Sequence, residues 1–202
     1  ADTDGLRARH GYRRDERIAI GSVGGTAVGG HLLRRIADAF PRMKREVPEL
    51  RMILVAGPRL AVELPRHDGL EVRPYVHNLY EHLACCDLAL VQGGLSTCME
   101  LVATRRPFLS FPLQRHFEQC IHVRQRLPNY CADNAVDYRD ATPASLADRA
   151  LAAMHAPVRY RPVETDGAAR AALRNSSATC SCQRASMPAG RPVRPALRWP
   201  RR

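Results

Sequence analysis

The 202-residue chain has room for one domain of ordinary size plus some excess, and 45% of its residues are hydrophobic, which is enough for a core. Its formal net charge of +11 is unevenly spread, because residues 160–202 hold nine arginines against only two acids. Aromatic residues make up only 5% of the chain, and the stacking platforms and base-reading motifs of nucleic-acid-binding proteins are missing. We therefore expect no nucleic-acid partner.

The sequence also argues against a membrane-spanning or disulfide-bonded protein. It contains no run of about eighteen apolar residues, and residues 1–15 lack the apolar core of a signal peptide. The seven cysteines, which include the adjacent pair Cys85 and Cys86 and the C-x-C of Cys180 and Cys182, do not have the spacing of a zinc site. We expect reduced, mostly buried cysteines in a cytoplasmic protein that reaches a membrane only through a partner.

Strands and helices alternate along the chain. Short apolar runs predict strands at residues 17–20, 50–56, 70–74, 88–91 and 108–111. Helical periodicity and helix-start signals predict helices at residues 31–44, 79–86, 97–103, 117–127 and 143–154. Such alternation over about 150 residues is typical of a parallel sheet covered on both faces. The predicted fold is therefore α/β, a Rossmann-like, doubly wound parallel sheet.

Three parts of the chain differ in composition. Residues 1–16 are polar and of mixed charge, and we interpret them as an N-terminal extension or linker. Residues 17–172 carry the predicted strands and helices and form the domain. Residues 173–202 are rich in proline and arginine and show almost no apolar periodicity, so they are predicted to be a disordered basic tail.

The segment between the fourth predicted strand and the helix after it is the most informative part of the sequence. It consists of Gln92, Gly93, Gly94, Leu95, Ser96, Thr97, Cys98, Met99 and Glu100. Glycines let a phosphate approach the backbone, and the free N–H groups of a first helical turn point toward it. A carboxylate one turn into the helix, as at Glu100, can accept hydrogen bonds from ribose hydroxyls.

A second glycine-rich loop, residues 21–30, follows the first predicted strand. Both loops lie where a strand leads into a helix, which is the carboxyl edge of a parallel sheet. Ligands bind at that edge in open α/β folds. The spacing of the glycines in residues 21–30 is not a good G-x-G-x-x-G, so a dinucleotide-linked oxidoreductase is not favoured.

Four blocks in order make the chain resemble the C-terminal, nucleotide-sugar-binding domain of GT-B glycosyltransferases, of the family 28 and UDP-glycosyltransferase type. The blocks are Ser22-Val23-Gly24-Gly25-Thr26, Pro74-Tyr75-Val76-His77-Asn78-Leu79, the segment from Gln92 to Glu100, and Phe111-Pro112-Leu113 followed by Glu118-Gln119. The resemblance runs from about Arg17 to Tyr138 and more weakly to Ala172. It implies one half of a GT-B fold.

The resemblance also assigns roles to individual residues. The diphosphate would be held by Gly24, Gly25, Thr26, Gln92, Gly93, Gly94, Ser96 and Thr97. Val76 would offer backbone hydrogen bonds to the uracil, and Glu100 would bind the ribose. Glu118 and Gln119 would bind sugar hydroxyls, although this pair is Asp-Gln in most relatives, which leaves the sugar open. Arg115 and His116, just before the pair, could offset the charge of the leaving group.

The implied activity is transfer of a sugar from a UDP-sugar to an acceptor hydroxyl. Backbone N–H groups and a helix N-terminus would stabilise the departing diphosphate, so we expect no cofactor and no metal. A complete enzyme of this type has a second domain that binds the acceptor, so the chain needs an acceptor-binding N-terminal domain or subunit, which would also supply the general base. A membrane-surface or lipid-linked acceptor is compatible with this reading. A non-catalytic nucleotide-binding module and a nucleotide-sugar epimerase are the alternatives.

Overall fold

The computed structural model describes residues 2–24, 29–57, 63–114, 116–164 and 166–172. Two of the predicted site residues, Gly25 and Thr26, lie outside these ranges, as do Arg115 and the predicted tail at residues 173–202. The chain divides into a unit of residues 1–163 and a second unit of residues 164–202. All the strands and helices described below belong to the first unit.

Five parallel strands form one sheet in the order β3-β2-β1-β4-β5. The strands are β1 (Arg17–Ser22), β2 (Leu50–Val55), β3 (Leu70–Arg73), β4 (Leu88–Val91) and β5 (Phe108–Ser110). Strands β1, β4 and β5 are buried almost throughout, as expected for near-continuous apolar runs in a sheet covered on both faces. The predicted α/β fold with a doubly wound parallel sheet is confirmed.

Among the described residues of the first unit, six α-helices flank or extend the sheet, of which the second and the sixth are the longest. They are α1 (Thr3–Arg9), α2 (Gly30–Glu46), α3 (Leu79–Ala84), α4 (Leu95–Ala103), α5 (Arg124–Arg126) and α6 (Pro143–His155). A π-helix, Glu118–Val123, leads directly into α5, and a 3₁₀-helix, Leu127–Tyr130, follows it. The segment predicted as one helix over residues 117–127 is therefore composite. None of the helices in the described part of the chain is long and apolar enough to span a membrane.

Each face of the sheet has its own apolar cluster. On one face, α2 and α6 pack against Ala19 of β1 and alternate residues of β2 such as Met52. On the other face, α3 and α4 pack with Ile18 and Ile20. This alternation follows from the twofold period of a strand. Packing on the first face is tight at Gly21, because a Cβ added there would lie 2.5 Å from the Leu54 side chain.

The N-terminal residues are more closely integrated than their polar composition suggested. Residues 2–16, read as an extension or linker, contain α1 and belong to the same compact unit as the sheet. The guanidinium of Arg7 is buried and donates to the carboxylate of Asp87 at 3.1 Å and to the carbonyl of Glu16 at 2.6 Å. Tyr12 is only 4% exposed. The segment therefore covers one end of the sheet's second face.

Candidate functional site

Strands β1 and β4 lie side by side, and the chain continues from them toward opposite edges of the sheet. After β1 the chain passes through α2 to β2, whereas after β4 it passes through α4 to β5. The strand ends are level, because Ser22 pairs with Val91. The next residue, Gln92, donates its backbone N–H to the carbonyl of Ser22 at 3.2 Å. The two loops therefore open a crevice at the topological switch point of the sheet, where open α/β folds bind ligands.

Both helices that leave this crevice begin without a side-chain cap. The N-cap of α2 is Gly29 and that of α4 is Gly94, and no side chain among the described residues donates or accepts a capping hydrogen bond at either. The first bond of α4 runs from Cys98 N to the carbonyl of Gly94 at 3.1 Å, so the N–H groups before Cys98 have no intrahelical acceptor. The uncapped N-terminus of α4 at this crevice favours an anionic ligand.

The two glycines after β4 serve different purposes. Gly93 has φ +87°, a left-handed conformation that favours glycine, and a Cβ there would lie 3.5 Å from the Cα of Pro112. Gly94 has φ −66°, which any residue can adopt, and a Cβ there would meet nothing within 4 Å. The fold therefore needs a glycine at 93, while the bare backbone at 94 leaves open space for a ligand.

A pocket of about 310 Å³ occupies the crevice. Its lining, among the described residues, is Ser22, Val23, Gly24, Leu79, Val91, Gln92, Gly93, Gly94, Thr97, Leu113, His116 and Gln119. The structure thus brings together many of the residues expected to hold a diphosphate and one of the two expected to hold a sugar. We call this cavity the crevice pocket.

Gln92 has an unusual environment within the crevice pocket. The residue is only 7% exposed, and its side-chain Nε2 is buried with no hydrogen-bond partner among the described residues. Leaving a buried amide donor unpaired costs about 1–3 kcal/mol. Buried unpaired donors in a binding cleft are commonly satisfied by the ligand, and Gln92 is placed to serve in that way.

The predicted ribose and uracil residues, Glu100 and Val76, do not line the crevice pocket, and Val76 lines a separate cavity with Tyr75 and His77. Glu100 is one helical turn after Thr97 on α4, with an exposed side chain, and partial burial raises the pKa of its carboxyl. Val76 is 8% exposed and lies in the loop before α3. Leu79, at the start of α3, joins this loop to the crevice pocket.

The structure separates the predicted sugar-binding pair. Gln119 is 9% exposed and lines the crevice pocket, and its Oε1 accepts from the backbone N–H of Leu113 at 2.9 Å. Glu118 is exposed and lines a different cavity together with Leu95 and His122. Neighbouring residues on a helix point in different directions, so Glu118 and Gln119 do not meet in the crevice pocket. Ser96, predicted for the diphosphate, is exposed in the first turn of α4 and does not line the pocket either.

Six residues of the crevice pocket were not among the predicted binding residues, and three of these, Ser22, Val23 and Val91, lie at or next to the ends of β1 and β4. Leu79 and Leu113 carry no chemical signal in the sequence, since either reads as an ordinary core residue. His116 was noted only as a possible counter-charge, yet it lines the crevice pocket with an exposed side chain. Asp2 and Asp4, at the start of α1, do not line the crevice pocket, and Asp2 caps that helix by accepting from the backbone N–H of Gly5 at 3.0 Å.

Known proteins share this arrangement. The family model described as the glycosyltransferase family 28 C-terminal domain matches residues 22–176. The UDP-N-acetylglucosamine--N-acetylmuramyl-(pentapeptide) pyrophosphoryl-undecaprenol N-acetylglucosamine transferase of Exiguobacterium sp. is 28% identical over 115 residues, covering 55% of this chain and 32% of that enzyme. The chain therefore spans about a third of the length of the curated relatives it matches.

Solved structures agree on the fold. MurG of Acinetobacter baumannii superposes with a TM-score of 0.64 at 17% identity, over 87% of this chain and 52% of MurG. A putative UDP-N-acetylglucosamine 2-epimerase from Listeria monocytogenes gives a TM-score of 0.56 at 14% identity, over 90% of this chain and 47% of that protein. These similarities confirm that the described fold is one Rossmann-like half of a two-domain architecture of the GT-B type.

Proposed function

The chain belongs to the glycosyltransferase family 28 C-terminal domain family, and on that basis we propose that it is the donor-binding domain of a GT-B glycosyltransferase. It binds a UDP-sugar and presents the sugar to an acceptor hydroxyl. The observation that carries this proposal is the crevice pocket, where the uncapped N-terminus of α4, the bare backbone of Gly94 and the unpaired amide of Gln92 meet.

The diphosphate lies between the loops that follow β1 and β4. Backbone N–H groups at the start of α4 donate to it, with Thr97 and Gln92 as side-chain donors. Gly24, exposed in the β1 loop, approaches it from the opposite side. Gly25 and Thr26 follow Gly24 in the sequence and keep the diphosphate role that the resemblance gives them.

The remaining parts of the donor extend from the diphosphate in two directions. Glu100 accepts hydrogen bonds from the ribose, and the backbone of Val76 binds the uracil beyond Leu79. In the other direction, Gln119 donates its amide N–H to a sugar hydroxyl while its Oε1 remains bonded to Leu113. The Ser96 hydroxyl and the Glu118 carboxylate contact the donor only if their side chains reorient on binding.

The chemical step is a displacement at the anomeric carbon of the sugar. The acceptor hydroxyl oxygen forms a bond to this carbon, the bond from the carbon to the diphosphate oxygen breaks, and its electron pair leaves with UDP. The hydroxyl proton passes to a general base supplied by the rest of the enzyme. The helix N-termini stabilise the growing negative charge on the diphosphate, so a divalent metal is not required.

The acceptor-binding half and the general base come from a further domain or subunit. The two-domain relatives, of which this chain spans about a third to a half, support this division of labour. The Exiguobacterium relative is named for a pyrophosphoryl-undecaprenol acceptor, and a lipid-linked acceptor at a cytoplasmic membrane surface is our proposal here as well.

A transfer assay tests the proposed function. The chain is mixed with UDP-sugar, an acceptor-binding half from a relative and its acceptor, with and without a chelator. Transfer that appears only in the mixture and survives the chelator supports a metal-independent donor domain. Turnover of UDP-N-acetylglucosamine without any acceptor would indicate an epimerase instead. Nucleotide binding without turnover in any mixture would indicate a non-catalytic module.

A further inference from the structure

The cavity that Glu118 lines lies between the start of α4 and the composite helix that follows β5. It has a volume of about 560 Å³, and we call it the α5 pocket. Its floor is apolar and firmly held, because Leu95 and Tyr130 are partly buried and pack against the core on the α4 side of the sheet. None of its described lining residues also lines the crevice pocket. The α5 pocket is therefore a separate concavity.

Polar side chains form the wall of the α5 pocket. They belong to the π-helix, to α5 and to the 3₁₀-helix after it, and they are Glu118, His122, Gln125, Arg126 and Asn129. Residues four apart on a helix lie on the same face, so Glu118, His122 and Arg126 form one row. The helical segment therefore directs a carboxylate, an imidazole and a guanidinium toward one concavity.

The polar wall is not paired with itself. Among the described residues, the side chains of Glu118, Gln125, Arg126 and Asn129 form no hydrogen bond or ion pair. Glu118 and Arg126 carry opposite charges, but they are eight positions apart and do not neutralise each other. The wall thus offers both donors and acceptors to a ligand, because a carboxylate accepts, a guanidinium donates, and an amide does both.

Phe117 adds an aromatic ring beside this wall. The residue is 66% exposed, and its ring meets the ring of His122 edge-on, with 5.1 Å between the centroids. The face of an aromatic ring carries partial negative charge. It attracts the weakly positive C–H groups on the face of a sugar ring, while the hydroxyls of such a sugar point outward toward polar partners.

The chemistry of the lining selects among ligand classes. An apolar molecule would leave the polar side chains without partners, which is unfavourable. A phosphate would meet the carboxylate of Glu118, and the single guanidinium, that of Arg126, only offsets this charge. A neutral molecule rich in hydroxyls can instead pair with the carboxylate, the guanidinium and the amides at once. The volume lies in the range of about 300–1,000 Å³ that is usual for small-molecule sites.

We propose that the α5 pocket binds a neutral carbohydrate, with a sugar ring on Phe117 and its hydroxyls on the polar wall. The bound sugar is not that of the donor, because the two pockets share no described lining residue. In the orientation that the structure shows, Glu118 serves the α5 pocket. The proposal goes beyond the proposed function and does not depend on the identity of the nucleotide in the crevice pocket.

Neutral disaccharides test the proposal on the chain as it exists. Maltose, lactose and chitobiose are each added while backbone amide NMR shifts are followed, with and without saturating UDP. N-acetyl-trialanine amide, a neutral peptide, is the comparison ligand. Phe117→Ala removes the aromatic ring, and Gln125→Leu removes an amide of the wall. Tyr80→Ala is the matched control, since Tyr80 is 54% exposed but lies on α3 and does not line the α5 pocket.

We expect saturable shifts at Leu95, Gln125 and Asn129 with at least one disaccharide, unchanged by UDP. Phe117→Ala should weaken this binding about three- to tenfold, and Gln125→Leu should weaken it about threefold or more. Tyr80→Ala should bind as the parent does. No binding of any of the disaccharides, shifts that UDP abolishes, equal binding of the peptide, or parent-like affinity in both Phe117→Ala and Gln125→Leu would each overturn the proposal. UDP calorimetry tests the donor site separately.

Discussion

The backbone N–H of Gln92 donates to the carbonyl of Ser22 across the switch point of the sheet, at 3.2 Å. This bond extends the β1–β4 ladder by one residue beyond the last strand pair, Ser22 and Val91. It fixes the backbone of Gln92 while the side-chain Nε2 stays unpaired within the described structure. The first residue of the phosphate loop is thus rigid in its main chain and free to donate with its side chain.

Gln92→Leu should weaken UDP binding without unfolding the protein. The substitution replaces the amide by an apolar side chain of similar size, and it removes a buried donor that has no partner among the described residues. The stability of the fold should therefore be unchanged or slightly raised. UDP affinity, measured by calorimetry, should fall by about 1–2 kcal/mol because one hydrogen bond to a charged group is lost. Gln92→Glu should abolish binding by placing a carboxylate beside the diphosphate. Unchanged affinity in Gln92→Leu would show that this amide does not contact the nucleotide.

Glu100→Gln should weaken UDP binding without lowering the stability of the fold. Partial burial raises the pKa of the Glu100 carboxyl, so the folded chain holds this proton more tightly than the unfolded chain does. The ionised group therefore lowers stability above its unfolded pKa, and its removal should leave the melting temperature at neutral pH unchanged or raised. UDP affinity should fall by about 1–3 kcal/mol with the loss of a charged acceptor for the ribose.

The same shift gives UDP binding a pH dependence. Affinity of the parent chain should decline as the pH falls through the raised pKa of Glu100, earlier than for an ordinary glutamate at 4.5. Glu100→Gln should show a smaller decline over the same range, because only the UDP phosphate then titrates. If Glu100→Gln kept the pH profile of the parent chain, Glu100 would not be the group that binds the ribose.

Gly29→Ala should destabilise the fold through overpacking. Gly29 is the N-cap of α2, and an added Cβ would fall on the side chain of the buried Val23. Such overpacking costs about 1–3 kcal/mol, to be measured as a shift in the urea midpoint with the slope unchanged. Gly94→Ala is the matched control, since its Cβ meets nothing within 4 Å. Equal midpoints for the two variants would contradict the close approach of the β1 loop to α2.

The contact between α1 and α3 should make the fold sensitive to mild acid. His82 is 6% exposed, stacks on His10 with 3.9 Å between ring centroids, and shares a 2.5 Å hydrogen bond with the Tyr12 hydroxyl. Burial, with the positive potential of His10 and Arg73, lowers the pKa of His82 from 6.5 to about 4. Between these values the unfolded chain binds the proton and the folded chain does not, so stability should fall as the pH drops from 6.5 toward 4.

His82→Gln tests this source of acid sensitivity. The variant keeps a hydrogen-bonding side chain for Tyr12 and cannot titrate, so its unfolding free energy should depend less on pH between 6.5 and 4. His31→Gln, at an exposed position on α2, is the control and should keep the parent's slope. A steep slope that persists in His82→Gln would place the acid sensitivity elsewhere.

The sheet and the crevice could be predicted because their signals are local. Uninterrupted apolar runs such as Leu88–Val91 mark buried parallel strands, and a glycine pair directly after such a strand marks the loop into α4. The parallel alternation of elements then brings both glycine loops to one edge.

Long-range contacts could not be predicted in the same way. Arg7 reads as a surface charge until its pairing with Asp87, eighty positions along the chain, is seen. Gln119 and Glu118 look equivalent in sequence, yet only Gln119 turns inward to bond Leu113. The helix after β5 begins as a π-helix, which the periodicity of the sequence did not predict. These features depend on packing between distant segments.

UDP calorimetry on the parent chain and on Gly94→Ala tests the central claim most directly. The added methyl group occupies the open space in which the diphosphate would approach the backbone, and it disturbs no neighbour within 4 Å. We predict that the parent binds UDP and that Gly94→Ala binds it about tenfold or more weakly with the same melting temperature. A Gly94→Ala variant that binds UDP as tightly as the parent would contradict a diphosphate site between the loops after β1 and β4.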